Sequence, residues 1–120
     1  MPSQAPRVLI VEDQEMLGRA LAAVVEDCGC KPIGPVSLVT TALPLALRES
    51  IDAALLDVYL IDQTVEPVAQ VLAQRGIPFG VLTAYSRHHL PAALQERPCL
   101  NKPFTDREIR SLIMTLTSTA

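Results

Sequence analysis

The chain has 120 residues and a net charge of -3; nearly half of it is apolar, with only 3% aromatic residues and no Trp. That length suits one domain around one aliphatic core, expected to span residues 1–120 with no output domain. No basic run offers a footprint for nucleic acid, and no apolar stretch reaches membrane-spanning length. Met1-Pro2-Ser3-Gln4 lacks the regions of a signal peptide, so the expected location is cytoplasmic. Cys28, Cys30 and Cys99 are then reduced thiols, since Cys28-Gly29-Cys30 has no His or second Cys pair to complete a metal site.

In chain order, the first apolar run is Val8-Leu9-Ile10-Val11, followed directly by Glu12 and Asp13. Leu17, Leu21, Val24 and Val25 then recur at helical spacing. A weaker strand signal covers 32–34 and Val36, and a second helix is expected over 38–48, with Pro44 kinking or delaying it. Ala53-Ala54-Leu55-Leu56 precedes Asp57. Val65, Val68, Ala69 and Leu72 mark a third helix, which Thr64 would cap, leaving Pro67 in its first turn. Phe79-Gly80-Val81-Leu82 precedes Thr83, and Tyr85 to Leu90 reads as loop before a short fourth helix starting at Pro91. Cys99-Leu100 is a weak fifth strand, and Thr105 with Glu108 forms a capping box for a helix carrying Ile109, Leu112, Ile113 and Leu116. The strong runs do not alternate with polar residues, as expected of strands buried on both faces of a parallel sheet. Five strands alternating with five helices make a doubly wound α/β sandwich.

The residues after the strands carry the chemistry. Glu12 and Asp13 follow the first, Asp57 the third, Thr83 the fourth and Lys102 the fifth. Only the second ends without reactive groups, at Gly34-Pro35-Val36-Ser37. Open α/β sheets bind ligands at the carboxyl ends of strands where the order reverses, which in a 2-1-3-4-5 sheet lies between strands 1 and 3. Strand 2 is then the distal edge. Three converging carboxylates call for a hard divalent cation such as Mg²⁺. Lys102 adds a fixed positive charge and Thr83 a hydroxyl donor, a set suited to phosphoryl chemistry with Asp57 as the nucleophile. Each residue also has a local explanation: helix-terminal acids for Glu12 and Asp13, a cap for Thr83, a surface charge for Lys102. Their recurrence at matching strand ends outweighs those explanations.

With "VLIVEDQ", "ALLDVYL", "IPFGVLTAY" and "NKPF" in this order, the chain resembles the response-regulator receiver domains of bacterial two-component signalling over nearly all its length. The resemblance implies a flavodoxin-like (βα)5 fold with Asp57 as phosphoacceptor. It also implies Mg²⁺ held by Glu12, Asp13, Asp57 and the backbone carbonyl of Tyr59. Thr83 would move to the phosphoryl group, and Lys102, before a cis Pro103, would pair with it. The implied donor is a histidine kinase, and the implied recipient a downstream protein target or a histidine phosphotransfer protein. The chain would be a signalling receiver rather than an enzyme, phosphorylating itself and slowly losing the phosphate.

Two positions depart from the family pattern. Cys99 stands where receivers carry an aromatic switch residue, and Tyr85, two residues after Thr83, is the candidate replacement. The segment is similar to single-domain receivers with a P-F-x-F-A-T-G-Y pattern, although Val81, Leu82 and Ala84 differ from it. Tyr59, two residues after Asp57, is bulkier than usual and could shield an acyl phosphate from water. His88-His89 reads as a solvated loop pair. Two rivals remain: a Mg²⁺-dependent aspartyl-phosphate hydrolase, which needs an acid where Tyr59 stands, and a receiver acting as an adaptor without phosphorylation.

Overall fold

The computed structural model describes residues 4–118; the expectations that concern Met1 to Ser3 and the final Thr119 and Ala120 fall outside them. Five strands, β1 (Arg7–Val11), β2 (Lys31–Val36), β3 (Ala53–Asp57), β4 (Phe79–Thr83) and β5 (Cys99–Asn101), form one sheet in the order β2-β1-β3-β4-β5. All four strand pairs are parallel. The four α-helices are α1 (Glu15–Asp27), α2 (Val39–Arg48), α3 (Glu66–Gln74) and α4 (Asp106–Thr117).

The unbroken apolar runs are explained by burial on both faces. Leu9, Val11, Ala54, Leu56, Phe79 and Val81 point into one core layer, shared with α2 and α3. Val8, Ile10, Ala53, Leu55 and Leu82 point into the other, shared with α1 and α4. Each residue of these runs in β1, β3 and β4 therefore leaves water whichever way its side chain points, and an alternating pattern would leave polar groups in the core.

Three expectations need correction. The fourth helix does not form: the β4–β5 connection contains two single 3₁₀ turns, Arg87–His89 and Ala92–Leu94. Between Pro91 and Pro98 too few residues remain for an α-helix, because the residue before a proline is pushed out of the helical region. Buried Leu90 and Leu94 anchor this segment instead. Thr64 does not cap α3. It forms an antiparallel bridge with Tyr59, and Val65 becomes the boundary residue, with Pro67 still in the first turn. Nor does Pro44 delay α2, which runs through it from Val39 to Arg48. That helix is held from outside. Its fully buried Val39, Ala42 and Ala46 pack on the sheet, and the Arg75 guanidinium donates to the carbonyls of Ala46 and Glu49 at its end. The capping box of α4 forms as expected, Thr105 Oγ1 accepting from Glu108 N at 3.1 Å and Glu108 Oε1 from Thr105 N at 2.9 Å.

The edge strand β2 bends to meet the site. Its register against β1 shifts between Leu9 and Val11, at Gly34, whose φ of +93° favours glycine. The bend brings the Val36 carbonyl to the backbone N–H of Glu12 at 2.9 Å. A Cβ at position 34 would lie 2.8 Å from Val36 N and 2.9 Å from Ile10 O, both backbone atoms with little room to yield. Gly34→Ala should therefore destabilise the protein by roughly 1–3 kcal/mol, the cost of a strained backbone residue, measured as a lower urea midpoint at unchanged slope.

Candidate functional site

Among the described residues, the buried polar or charged ones are Glu12, Asp57 and Thr83, and all three stand at the carboxyl edge of the sheet. β1 and β3 are adjacent and in register, Val11 opposite Leu56, so the residues that follow them meet. One carboxylate oxygen from each of Glu12, Asp13 and Asp57 lies within 4.8 Å of the others. Lys102 reaches the cluster from the far side, its Nζ 3.1 Å from Glu12 Oε1 and 3.4 Å from Asp57 Oδ1. Its backbone N–H donates to the Thr83 carbonyl at 2.8 Å, which fixes the β5 end against β4.

The charges do not balance. Three carboxylates face one ammonium, and burial disfavours the ionised form further. Burial, then the nearby Glu12, push the Asp57 carboxyl up to about 7 from its ordinary 3.8; Lys102 opposes the shift and Asp13 adds to it. Glu12 Oε2 accepts from the Gln14 N–H at 3.0 Å, but the buried Oε1 has no hydrogen bond. The ammonium of Lys102 lies 3.1 Å from that oxygen, outside hydrogen-bonding direction, so it supplies charge without satisfying the lone pair. A buried oxygen lacking a donor, beside two further carboxylates, fits a hard cation with oxygen ligands such as Mg²⁺.

Around the mouth lie residues whose mutual contacts the sequence does not announce. Thr83 Oγ1 accepts from the Tyr85 N–H at 3.0 Å, and Asn101 Nδ2 donates to the Tyr85 carbonyl at 2.9 Å. The rings of Tyr59 and Tyr85 meet edge to face, centroids 5.1 Å apart, with Tyr85 54% exposed. Tyr59 Oη donates to the His89 carbonyl at 3.0 Å. Asn101 is the one contributor that the sequence pattern does not single out. Its position directly before Lys102 at a strand end is the available signal. Cys99 is half-buried against the α2–α3 core layer, and His89 Nδ1 pairs with Ser86 Oγ at 2.7 Å. Cys28, Cys30 and Cys99 form no disulfide among the described residues. The peptide before Pro103 is cis, as is the one before Pro35.

A doubly wound sheet with an acidic cluster, a Thr and a Lys at its carboxyl edge has the architecture of a phosphoryl-handling receiver. No family model matches the chain, and no curated protein matches it. Solved structures do. SdrG from Sphingomonas melonis Fr1 is 35% identical, covering 96% of this chain and 98% of that one with a TM-score of 0.82. The BeF3-activated conformation of SdrG is also 35% identical over 97% of this chain and 99% of that one, with a TM-score of 0.77. The receiver domain of a sensor histidine kinase from Pseudomonas aeruginosa, with a magnesium ion coordinated in its active site cleft, shares the fold at 20% identity (TM-score 0.83, covering 96% and 99%). The chain belongs to the response-regulator receiver family. No described helix is long and apolar enough to cross a membrane.

The raised Asp57 carboxyl sets a pH dependence for the metal-free protein. A folded value near 7 against 3.8 means that the folded state binds the proton more tightly than the unfolded one. This contribution is fully present below pH 3.8 and is lost as pH rises toward 7. Asp57→Asn should flatten this decline and raise the melting temperature at pH 8 in chelator. Thermal melts of both proteins across that range provide the check, and a steeper decline in the variant would contradict Asp57 as the source of the dependence.

Proposed function

We propose that the chain is a phospho-accepting signalling receiver that takes a phosphoryl group from a histidine kinase onto Asp57. The observation that carries this reading is the buried Asp57 between two further carboxylates and the Lys102 ammonium, with an unsatisfied Glu12 oxygen beside it. In the reaction an Asp57 carboxylate oxygen forms a bond to phosphorus as the phosphorus–nitrogen bond of the donor phosphohistidine breaks. The electron pair leaves with the imidazole, which is then protonated. Lys102, whose Nζ lies 3.4 Å from Asp57 Oδ1, would pair with the incoming phosphoryl oxygens. Thr83 keeps its hydroxyl proton available, since its oxygen accepts rather than donates in the bond to Tyr85. A Mg²⁺ ion held by Glu12, Asp13, Asp57 and the Tyr59 carbonyl would supply the charge neutralisation that lets a further anion enter. The edge-to-face pair of Tyr59 and Tyr85 would shield an acyl phosphate from water, favouring slow hydrolysis over turnover as an enzyme. An open hollow of about 530 Å³ beside Lys102, walled by Met16, Leu17, Pro103 and Phe104, leaves a path for a protein donor.

The hydrolase alternative has no observation in its favour. The position that would hold its second acid is Tyr59, and that hydroxyl is spent on the His89 carbonyl.

The test is intact-mass analysis after incubation with a small phosphodonor. One phosphoryl group should be gained with Mg²⁺, and none in chelator or in Asp57→Asn. Asp13→Ala should weaken Mg²⁺ binding by at least tenfold, as loss of a direct ligand does, whereas Thr83→Ala should leave it nearly intact and blunt the response to phosphorylation. Uptake of phosphate by Asp57→Asn would refute the assignment; no uptake by the wild type would favour the adaptor reading.

We further assign the report of the phosphorylated state to Tyr85. Thr83 must turn toward the phosphoryl oxygens, and Tyr85 is bonded to it through one small residue, Ala84. The segment that follows has only 3₁₀ turns, so it can take up a second arrangement at little cost. Amide NMR with a phosphoryl mimic and Mg²⁺ should show residues 84–96 shifting in the wild type and far less in Tyr85→Ala. An equal response in both would make Tyr85 a packing residue.

A further inference from the structure

The segment after Asp57 is a closed turn rather than an open loop. Val65 N donates to Val58 O at 2.9 Å, Leu60 N to Gln63 O at 3.2 Å, and Tyr59 bridges Thr64 between them. Ile61 and Asp62 occupy its tip. Residues 58–65 therefore form one hairpin whose root, the fully buried Val58, is bonded directly to Asp57. On one side the hairpin is tied to the β4–β5 connection through Tyr59 Oη and the His89 carbonyl. On the other, Asp62 Oδ1 and Oδ2 accept from the backbone N–H groups of Val39 and Thr40 at 3.1 and 3.3 Å.

Those two N–H groups belong to the first turn of α2, which has no cap of its own: Leu38 stands at the N-cap position and offers no acceptor. The helix also contains Pro44, which cannot donate to the Thr40 carbonyl. Its start depends on a carboxylate delivered by another segment. Desolvation of Asp62 is the largest single influence and alone would raise its pKa, but the backbone donors Val39, Thr40, Asp62 and Gln63 together outweigh it and hold the carboxyl below its ordinary value.

We propose that the hairpin 58–65 transmits the state of Asp57 to the N-terminus of α2 through Asp62, giving the protein a second responsive surface on the β2 side of the sheet. This rests on Asp57 being the phosphoacceptor. A group added to Asp57 lies at the root of the hairpin, next to the Tyr59 backbone. Because cross-bonds close the hairpin, a shift at Tyr59 is not absorbed locally and moves the tip. The bond from Thr40 N is already at 3.3 Å, so a small displacement is enough to make or break it. The α2 start is thus poised between capped and uncapped arrangements, and the two states of Asp57 bias it differently.

The experiment is amide NMR of the full chain with and without beryllofluoride and Mg²⁺, with the fluorine resonance of the bound mimic recorded in parallel. In the wild type, Val39 and Thr40 amides should shift when the mimic binds. In Asp62→Ala they should exchange with solvent roughly five- to tenfold faster, as expected for a lost cap, and their response to the mimic should fall severalfold. Asp62→Asn, which keeps one acceptor oxygen and folds even if the alanine variant does not, should respond at an intermediate level. Equal shifts at Val39 and Thr40 in wild type and variants, or unmoved amides in a wild type carrying bound mimic, would overturn the coupling. Absence of a bound fluorine signal in the wild type would instead overturn the phosphoacceptor assignment, and the coupling with it.

Discussion

Three carboxylates gathered around one ammonium at the edge of a sheet are the constraint to which the rest of the molecule answers. Two like charges about 4 Å apart repel by about 4 kcal/mol at an effective dielectric of 20. A whole small domain is stable by only about 5–15 kcal/mol. The cluster is therefore a considerable liability unless it is protonated or neutralised. The raised Asp57 carboxyl is its metal-free relief, and a divalent cation would be the fuller one. The arrangement is costly in isolation and selective for that reason: it favours ligands that bring positive charge with them.

The fold tolerates this cost because the site sits on the most rigid elements available. β1 and β3 are central strands with every residue from Val8 to Val11 and from Ala54 to Leu56 fully buried. Packing fixes the directions in which Glu12 and Asp57 leave the sheet. Where a peripheral strand contributes, it is bonded to the centre: Val36 O to Glu12 N at 2.9 Å and Lys102 N to Thr83 O at 2.8 Å. Rigid backbone around adjustable charges keeps the carboxylates from drifting apart to relieve their repulsion.

The sequence made this architecture readable for a physical reason. Unbroken apolar runs such as Val8 to Val11 need two buried faces, and a parallel sheet supplies them; polar residues directly after such runs can only stand at the sheet's carboxyl edge. Asp57, Glu12, Asp13, Thr83 and Lys102 were legible on that logic alone, before any family resemblance. The misread elements are those whose conformation is decided by partners distant in the chain. α2 survives Pro44 because Asp62 and Arg75, 22 and 29 residues away from the backbone groups they bond, satisfy its ends. Thr64 lost its capping role to a bridge with Tyr59, and no local pattern encodes that competition. The β4–β5 connection reads as partly helical because Pro91 suits the first position of a helix, yet prolines at 91 and 98 leave only single turns.

The contacts around Tyr85 are the softer half of the site, and their magnitudes explain how a receiver with Cys99 in place of an aromatic could still respond. Tyr85 is held by its N–H to Thr83 Oγ1, its carbonyl to Asn101 and its ring against Tyr59, and the loop beyond it by Tyr59 Oη to His89 O. A neutral hydrogen bond contributes about 0.5–1.5 kcal/mol and one to a charged group about 1.5–3. On the proposed mechanism, a bond from Thr83 to a phosphoryl oxygen would match one or two of the contacts that loosen as Thr83 turns, so neither arrangement would dominate by much. Cys99 could not play this part: it is small and half-buried against the core layer, and moving it would vacate little space. With four exposed or partly exposed contacts in balance around Tyr85, the segment between Thr83 and Leu90 is where a change of one charge-assisted bond can change the surface. On the proposed role of Tyr85, the switch would move from the strand to the loop, where the competing energies are of equal size.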